Sequence, residues 1–134
     1  MKKLPVLAFC LAVSGLMLGV LSCGDDDTVV PTARTCNLST DEKFLSGTVV
    51  YEATQSGDGS FSKITYVDDQ GTQTVSNPQL PWTTMVTFPD STTIKLTGTG
   101  TTTNGSLAIS VEDTAGTYSA GEGCSQSQST SYLY

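Results

Sequence analysis

The chain contains no histidine. That absence removes the imidazole base on which Ser–His and Cys–His nucleophile activation depends, along with the commonest protein ligand of transition metals. Positive charge is almost as scarce, six basic residues standing against 13 acidic ones for a net charge of −7. A phosphate backbone needs a basic footprint, so nucleic acid is not expected as a partner. Helical patterning is missing too: beyond the N-terminal apolar run, no stretch of ten or more residues repeats apolar side chains at three-four spacing. What remains for catalysis is carboxylate pairs. Asp68 with Asp69, and Glu112 with Asp113, are chain neighbours at strand ends, where side chains diverge and solvent enters, which argues against a shared catalytic proton. No loop has the ligand spacing of an EF-hand. The chain is therefore read as a non-enzyme, with no catalytic residue, no metal site and no cofactor.

What is present begins at the N-terminus. Lys2 and Lys3 precede an uncharged, mostly apolar run of 18 residues, 4–21. This is the profile of a signal peptide, and its length also reaches the lower limit for a membrane-spanning helix. Val20, Leu21 and Ser22 then stand directly before Cys23. The run resembles the bacterial lipobox, in which a small residue precedes a cysteine that is acylated on sulfur and becomes the first residue of the mature protein. Cys10, preceded by the bulky Phe9, lacks that context. A plain secretory signal and a retained helix are the alternatives, and all three place the remainder outside the cytoplasm because the lysine pair stays inside. Two or three acyl chains on Cys23 make attachment effectively permanent, since one chain alone gives only reversible binding. The acidic run Asp25, Asp26 and Asp27 reads either as a solvated spacer or as the post-cysteine signal it resembles, the one that sends lipoproteins to the cell surface in Bacteroidetes-type bacteria. The expected location is the bacterial cell envelope, anchored to a membrane, with the outer membrane and its outward face favoured.

Loss of residues 1–22 leaves 112 residues (134 minus 22), one domain in size, carrying four basic and 13 acidic residues for a charge of −9. Residues 23–35 read as the lipidated cysteine with an acidic, flexible tether, 36–124 as the folded domain and 125–134 as a polar tail. With Cys23 acylated, Cys36 and Cys124 form an even pair in an oxidising compartment and are expected to be bonded.

Within the domain, threonine and glycine abound and the apolar residues are largely β-branched. Strands are predicted at 47–55, 61–68, 72–76, 83–88, 92–99, 106–112 and 116–121. Asp58–Gly59 and Asn104–Gly105 suit hairpins, Asp69–Gln70–Gly71 a turn with a left-handed residue, and Pro89–Asp90 a turn start. Leu107, Ile109 and Val111 alternate with Ala108, Ser110 and Glu112, and Ile94 and Leu96 repeat the pattern. The expected fold is a small all-β, seven-stranded antiparallel β-sandwich with Val49, Tyr51, Ile64, Tyr66, Val86, Phe88, Ile94, Leu96, Leu107, Ile109 and Val111 facing inward. The single tryptophan, Trp82, follows Pro81 at the start of a strand. It reads either as a cap on one end of the core or, with Pro81, as an aromatic anchor for a partner.

The blocks VVYEAT, KITYVDDQGTQTV, LPWTTMVTF and GSLAISVED, in that order, resemble the extracytoplasmic domain of the MmpS family of mycobacterial small membrane proteins. The resemblance spans about 65 residues of the mature chain. It implies an immunoglobulin- or transthyretin-like sandwich acting as accessory to an RND-type exporter of lipids or siderophores, and it names no catalytic residue. That family is held by a transmembrane helix, where this chain has the lipobox-like run. Expected partners are the membrane, through the lipid, and an envelope protein, transporter or extracellular ligand.

The reading at Cys23 predicts a native mass lacking residues 1–22 and carrying added acyl mass. Cys23→Ala should leave the leader attached or release the domain from membranes, and intact mass spectrometry of fractionated cells checks both outcomes.

Overall fold

Alternating β-branched and small polar residues can bury one face of a strand and wet the other, and the chain uses that option along its whole described length. The computed structural model describes residues 31–127; the leader, Cys23, the acidic run and the last seven residues lie outside them. Among the described residues are eight strands and no helix: β1 (Arg34–Ser39), β2 (Lys43–Gly57), β3 (Ser60–Asp68), β4 (Gly71–Ser76), β5 (Trp82–Ile94), β6 (Thr97–Thr102), β7 (Gly105–Asp113) and β8 (Ser119–Gln126). They form two four-stranded antiparallel sheets, ordered β1-β6-β3-β4 and β5-β2-β7-β8. The all-β sandwich is as expected; the count of seven strands is not.

The core lies between the sheets. Val49, Tyr51 and Ala53 of β2, Leu107, Ile109 and Val111 of β7, and Ile64, Ile94 and Leu96 are all at most 2 % exposed. Phe61, Phe88, Cys36 and Leu38 complete the cluster. Two of the expected inward residues, Tyr66 and Val86, are only half-buried and pack on its margin.

β6 reads TGTGTT, with Gly98, Gly100 and Thr102 turned inward and Thr97, Thr99 and Thr101 outward. The inward glycines make room for a neighbour's bulk. A Cβ added at Gly98 would lie 2.6 Å from the Phe61 ring.

Three local expectations give way to the chain's changes of sheet, and a fourth to a bulge. The run 92–99 is not one strand: β5 ends at Ile94 in one sheet, the chain crosses at Lys95 and Leu96, and β6 starts at Thr97 in the other. Asp58–Gly59 and Asn104–Gly105 are not hairpins either, because β2 and β3 belong to different sheets, as do β6 and β7. Both are arches carrying the chain from sheet to sheet. Pro89 and Asp90 do not open a turn. They fall in a bulge of β5, where the partner of Leu45 is Thr92 and that of Gly47 is Phe88.

At the flank, β1 begins at Arg34, two residues before the expected domain boundary, and it pairs with β6 from Arg34↔Thr102 to Ser39↔Thr97. Its burial alternates through Cys36, Leu38 and Thr40, a pattern that appears only when cysteine is counted as apolar. The last strand is shifted relative to 116–121. A turn occupies that stretch's start, and β8 runs on to Gln126, paired with Gly105 of β7. The expected turn at Asp69–Gly71 is present, Gly71 taking φ of +116°.

Gly98→Ala should destabilise the domain by about 1–3 kcal/mol through overpacking against Phe61. Thr99→Ala, on the outer face one residue away, should change stability by no more than about 0.5 kcal/mol. Urea unfolding of both variants checks the contrast.

Candidate functional site

Pro81 and Trp82 sit where the chain leaves the loop after β4 and enters the outermost strand of its sheet. The Leu80–Pro81 bond is cis. Pro81 is exposed, while Trp82 is half-buried on the edge of the core. The Trp82 and Tyr66 ring centroids lie 5.4 Å apart at 55°, and those of Tyr66 and Tyr51 lie 5.4 Å apart at 53°. Tilted pairs at this distance are favourable beyond the area they bury. Tyr51 anchors the ladder: its hydroxyl donates to the Val67 carbonyl at 2.8 Å, and burial holds the phenol well above its ordinary pKa. Trp82 thus closes the core with one side and offers the other to solvent.

Two large apolar side chains project outward, Phe44 at 71 % and Met85 at 65 % exposure. Neither is singled out by the sequence reading. Met85 carried a signal all the same, because it occupies the outward phase of β5 between exposed Thr83 and Thr87.

Cys36 and Cys124 are bonded, with Cα atoms 6.1 Å apart across 88 residues of chain. The bridge joins the edge strand of one sheet, β1, to the edge strand of the other, β8. Two contacts flank it: Arg34 Nη1 donates to the Ser125 carbonyl at 2.8 Å, and the Ser39 amide donates to Glu122 Oε2.

One carboxylate of each neighbouring pair, Asp68 and Asp113, is engaged in a turn. Asp68 Oδ1 accepts from the Gln70 amide at 2.8 Å and from Gln73 Nε2 at 3.1 Å. The Asp113 carboxylate accepts from the Thr117 hydroxyl and from the Thr117 and Tyr118 amides, and these donors, the hydroxyl first, hold its pKa below the usual range. Asp58, used in the sequence reading only as a turn former, has a larger part. Its Oδ1 accepts from the Thr102 hydroxyl and the Thr103 and Asn104 amides at 2.8–2.9 Å, which ties the β2–β3 arch to the β6–β7 arch. The Asn104 amide is the main cause of its lowered pKa. Among the described residues no group of three or more His, Cys, Asp or Glu could hold a metal ion.

A concavity of about 470 Å³ lies beside β3 and β6, where Thr35, Ser60, Ser62, Asn77, Thr99 and Thr101 supply polar groups beside Phe61, Pro78 and Gly100, and no lining residue is charged.

No protein-family model matches this chain, and neither a curated protein nor a solved structure matches it.

Replacing Cys36 and Cys124 together by alanine should cost about 4 kcal/mol on the chain-entropy account, given a sequence separation of 88. Chemical unfolding of oxidised parent and double variant measures the difference; equal midpoints would show that the bridge is dispensable.

Proposed function

We propose that this chain is a non-catalytic binding module of the bacterial cell envelope, lipid-anchored through Cys23 to a membrane, the outer membrane being favoured, with the Pro81–Trp82 start of β5 as its contact surface. The carrying observation is Cys23 itself, preceded by Val20, Leu21 and Ser22 and followed by Gly24 and three aspartates. The Cys36–Cys124 bridge supports an oxidising compartment. The acidic loops fit the same picture. Arg34 pairs with Thr102 and Gln126 with Gly105, so the chain enters and leaves the sandwich at one end. Asp41, Glu42, Asp68, Asp69, Asp90 and Asp113 gather at the other, where β1 turns into β2 and β5 crosses to β6. A tether from Cys23 therefore joins the domain at the end opposite these carboxylates.

An immunoglobulin-like type is supported by the central pairings. β2 lies beside β5 in one sheet and β3 beside β6 in the other, as the B–E and C–F pairs do in such sandwiches. β1 and β7 take flanking positions that differ from that plan.

A second reading, an accessory subunit of an RND-type exporter in the manner of MmpS proteins, is favoured by one observation. The four sequence blocks behind the resemblance fall in order on β2, on β3 with β4, on β5 with its approach, and on β7.

Crosslinking in native cells followed by identification of the attached protein tests the contact surface. Trp82→Ala, shown by circular dichroism to remain folded, should reduce the adduct several-fold. Undiminished capture by the folded variant would place the contact elsewhere, and an RND transporter in the adduct would select the second reading.

A further inference from the structure

We infer that the outer edge of β5 pairs antiparallel with β5 of a second copy of this chain, about a two-fold axis through Met85. This rests on the reading of the Pro81–Trp82 strand start as the contact surface, and it names the partner. Residues 81–89 read Pro-Trp-Thr-Thr-Met-Val-Thr-Phe-Pro. In chemical type the stretch reads alike from either end, except that Thr84 stands opposite Val86, both β-branched. An antiparallel pair of identical strands sets each residue against its mirror image, so a two-fold interface is built from self-complementary sequence. Here Trp82 meets Phe88, Thr83 meets Thr87, Thr84 meets Val86 and Met85 meets its own copy. Pro81 and Pro89 lack a backbone N–H and close the stretch at both ends.

The surroundings of this edge agree. β5 ends its sheet and pairs only with β2, and residues 82–88 hold an unbroken register with 47–53 before the bulge interrupts it. The seven residues carry no charge, and an uncharged straight edge is a template for another strand. The opposite flank is spoken for, since the Cys36–Cys124 bridge, Arg34 and Glu122 clamp β1 and β8 together. β4, the remaining edge, is six residues long and offers no exposed large apolar side chain.

Burial points the same way. Val49, Tyr51 and Ala53, the inward residues of β2, are 0 % exposed, yet their neighbours Trp82, Thr84 and Val86 on β5 are only half-buried. The core is thus open along β5, and a second β5 would cover it while placing the two Met85 side chains together on the outer face. Antiparallel pairing also sends the two acidic ends in opposite directions, so no carboxylate cluster meets its copy. Anchored at Cys23, the pair lies with its sheets parallel to the membrane, because the axis must run along the membrane normal for both tethers to reach one surface.

The test uses the full chain in its own membranes with single cysteines introduced into β5. Met85→Cys, at an exposed position, should give a disulfide-linked species of twice the mass on mild oxidation, reversed by thiol. Thr83→Cys and Thr87→Cys should each stay monomeric, since like positions lie roughly 13 Å apart in this register, while a mixture of the two should cross-link. Met85→Lys should convert dimer to monomer in sedimentation at an unchanged melting temperature. A monomeric Met85→Cys, or cross-linking by Thr83→Cys alone as efficient as that of Met85→Cys, would overturn the pairing. A Met85→Cys adduct to a different protein would overturn it too, while leaving β5 a contact surface.

Discussion

Among the described residues the chain changes sheets at five of the seven connections between strands, and everything else in the domain is arranged around that constraint. Only β3–β4 and β7–β8 stay within one sheet. Each crossing lifts residues out of the ladders, leaving backbone donors and acceptors that must find partners inside a small protein. Four of the five crossings meet in twos at the ends of the sandwich, the β4–β5 connection standing apart, and each end has a polar side chain to tie its pair. At one end Thr40, 4 % exposed, receives the Leu96 amide on its hydroxyl at 3.0 Å while its own amide donates to the Leu96 carbonyl at 2.9 Å. At the other end Asp58 gathers Thr102, Thr103 and Asn104. The arches there pass so closely that Gly57 and Gly105 leave no room for a Cβ against the neighbouring backbone, and Gly57 adopts φ of +60°.

A sandwich tied at its two ends still has two open flanks, and the molecule treats them differently. One is closed covalently by the Cys36–Cys124 bridge, with Arg34 and Glu122 beside it. The other ends on β5 and β4, where the aromatic ladder of Tyr51, Tyr66 and Trp82 fills the gap only in part. The stapled flank holds both terminal strands of the described residues, β1 and β8, and the unstapled flank presents Pro81 and Trp82, with Met85 exposed on the outer face of β5.

Strand interiors were legible in the sequence because alternation is a local property: Leu107, Ile109 and Val111 announce their face without reference to any partner. The disulfide was legible from counting, once Cys23 was set aside. The arches were not. Asp–Gly and Asn–Gly satisfy the same local backbone demands in an arch as in a hairpin, and which sheet the next strand joins is decided by distant pairings. The same cause hid the break at Lys95, since Ile94 and Leu96 keep their inward alternation while the chain changes sheets between them. β1 escaped, and β8 was placed too early in the chain, for a different reason. RTCNLS and SAGEGCSQ hold few β-formers and become strands through their ladders with β6 and β7 and the bond between them. The exposure of Met85 follows from its phase, outward between Thr83 and Thr87, though the sequence reading does not single it out.

The central claim is that side-chain ties between arches hold the two sheets in place, and the most direct measurement is the unfolding midpoint of Asp58→Ala against the parent as a function of pH. Hydrogen bonds from Asn104, Thr102 and Thr103 lower the folded-state pKa of Asp58, so its contribution is complete above the ordinary carboxylate pKa and is lost as pH falls through the lowered one. The account predicts a clearly lower midpoint for Asp58→Ala at neutral pH and a gap that narrows on acidification below about pH 4. Equal midpoints at neutral pH would contradict it.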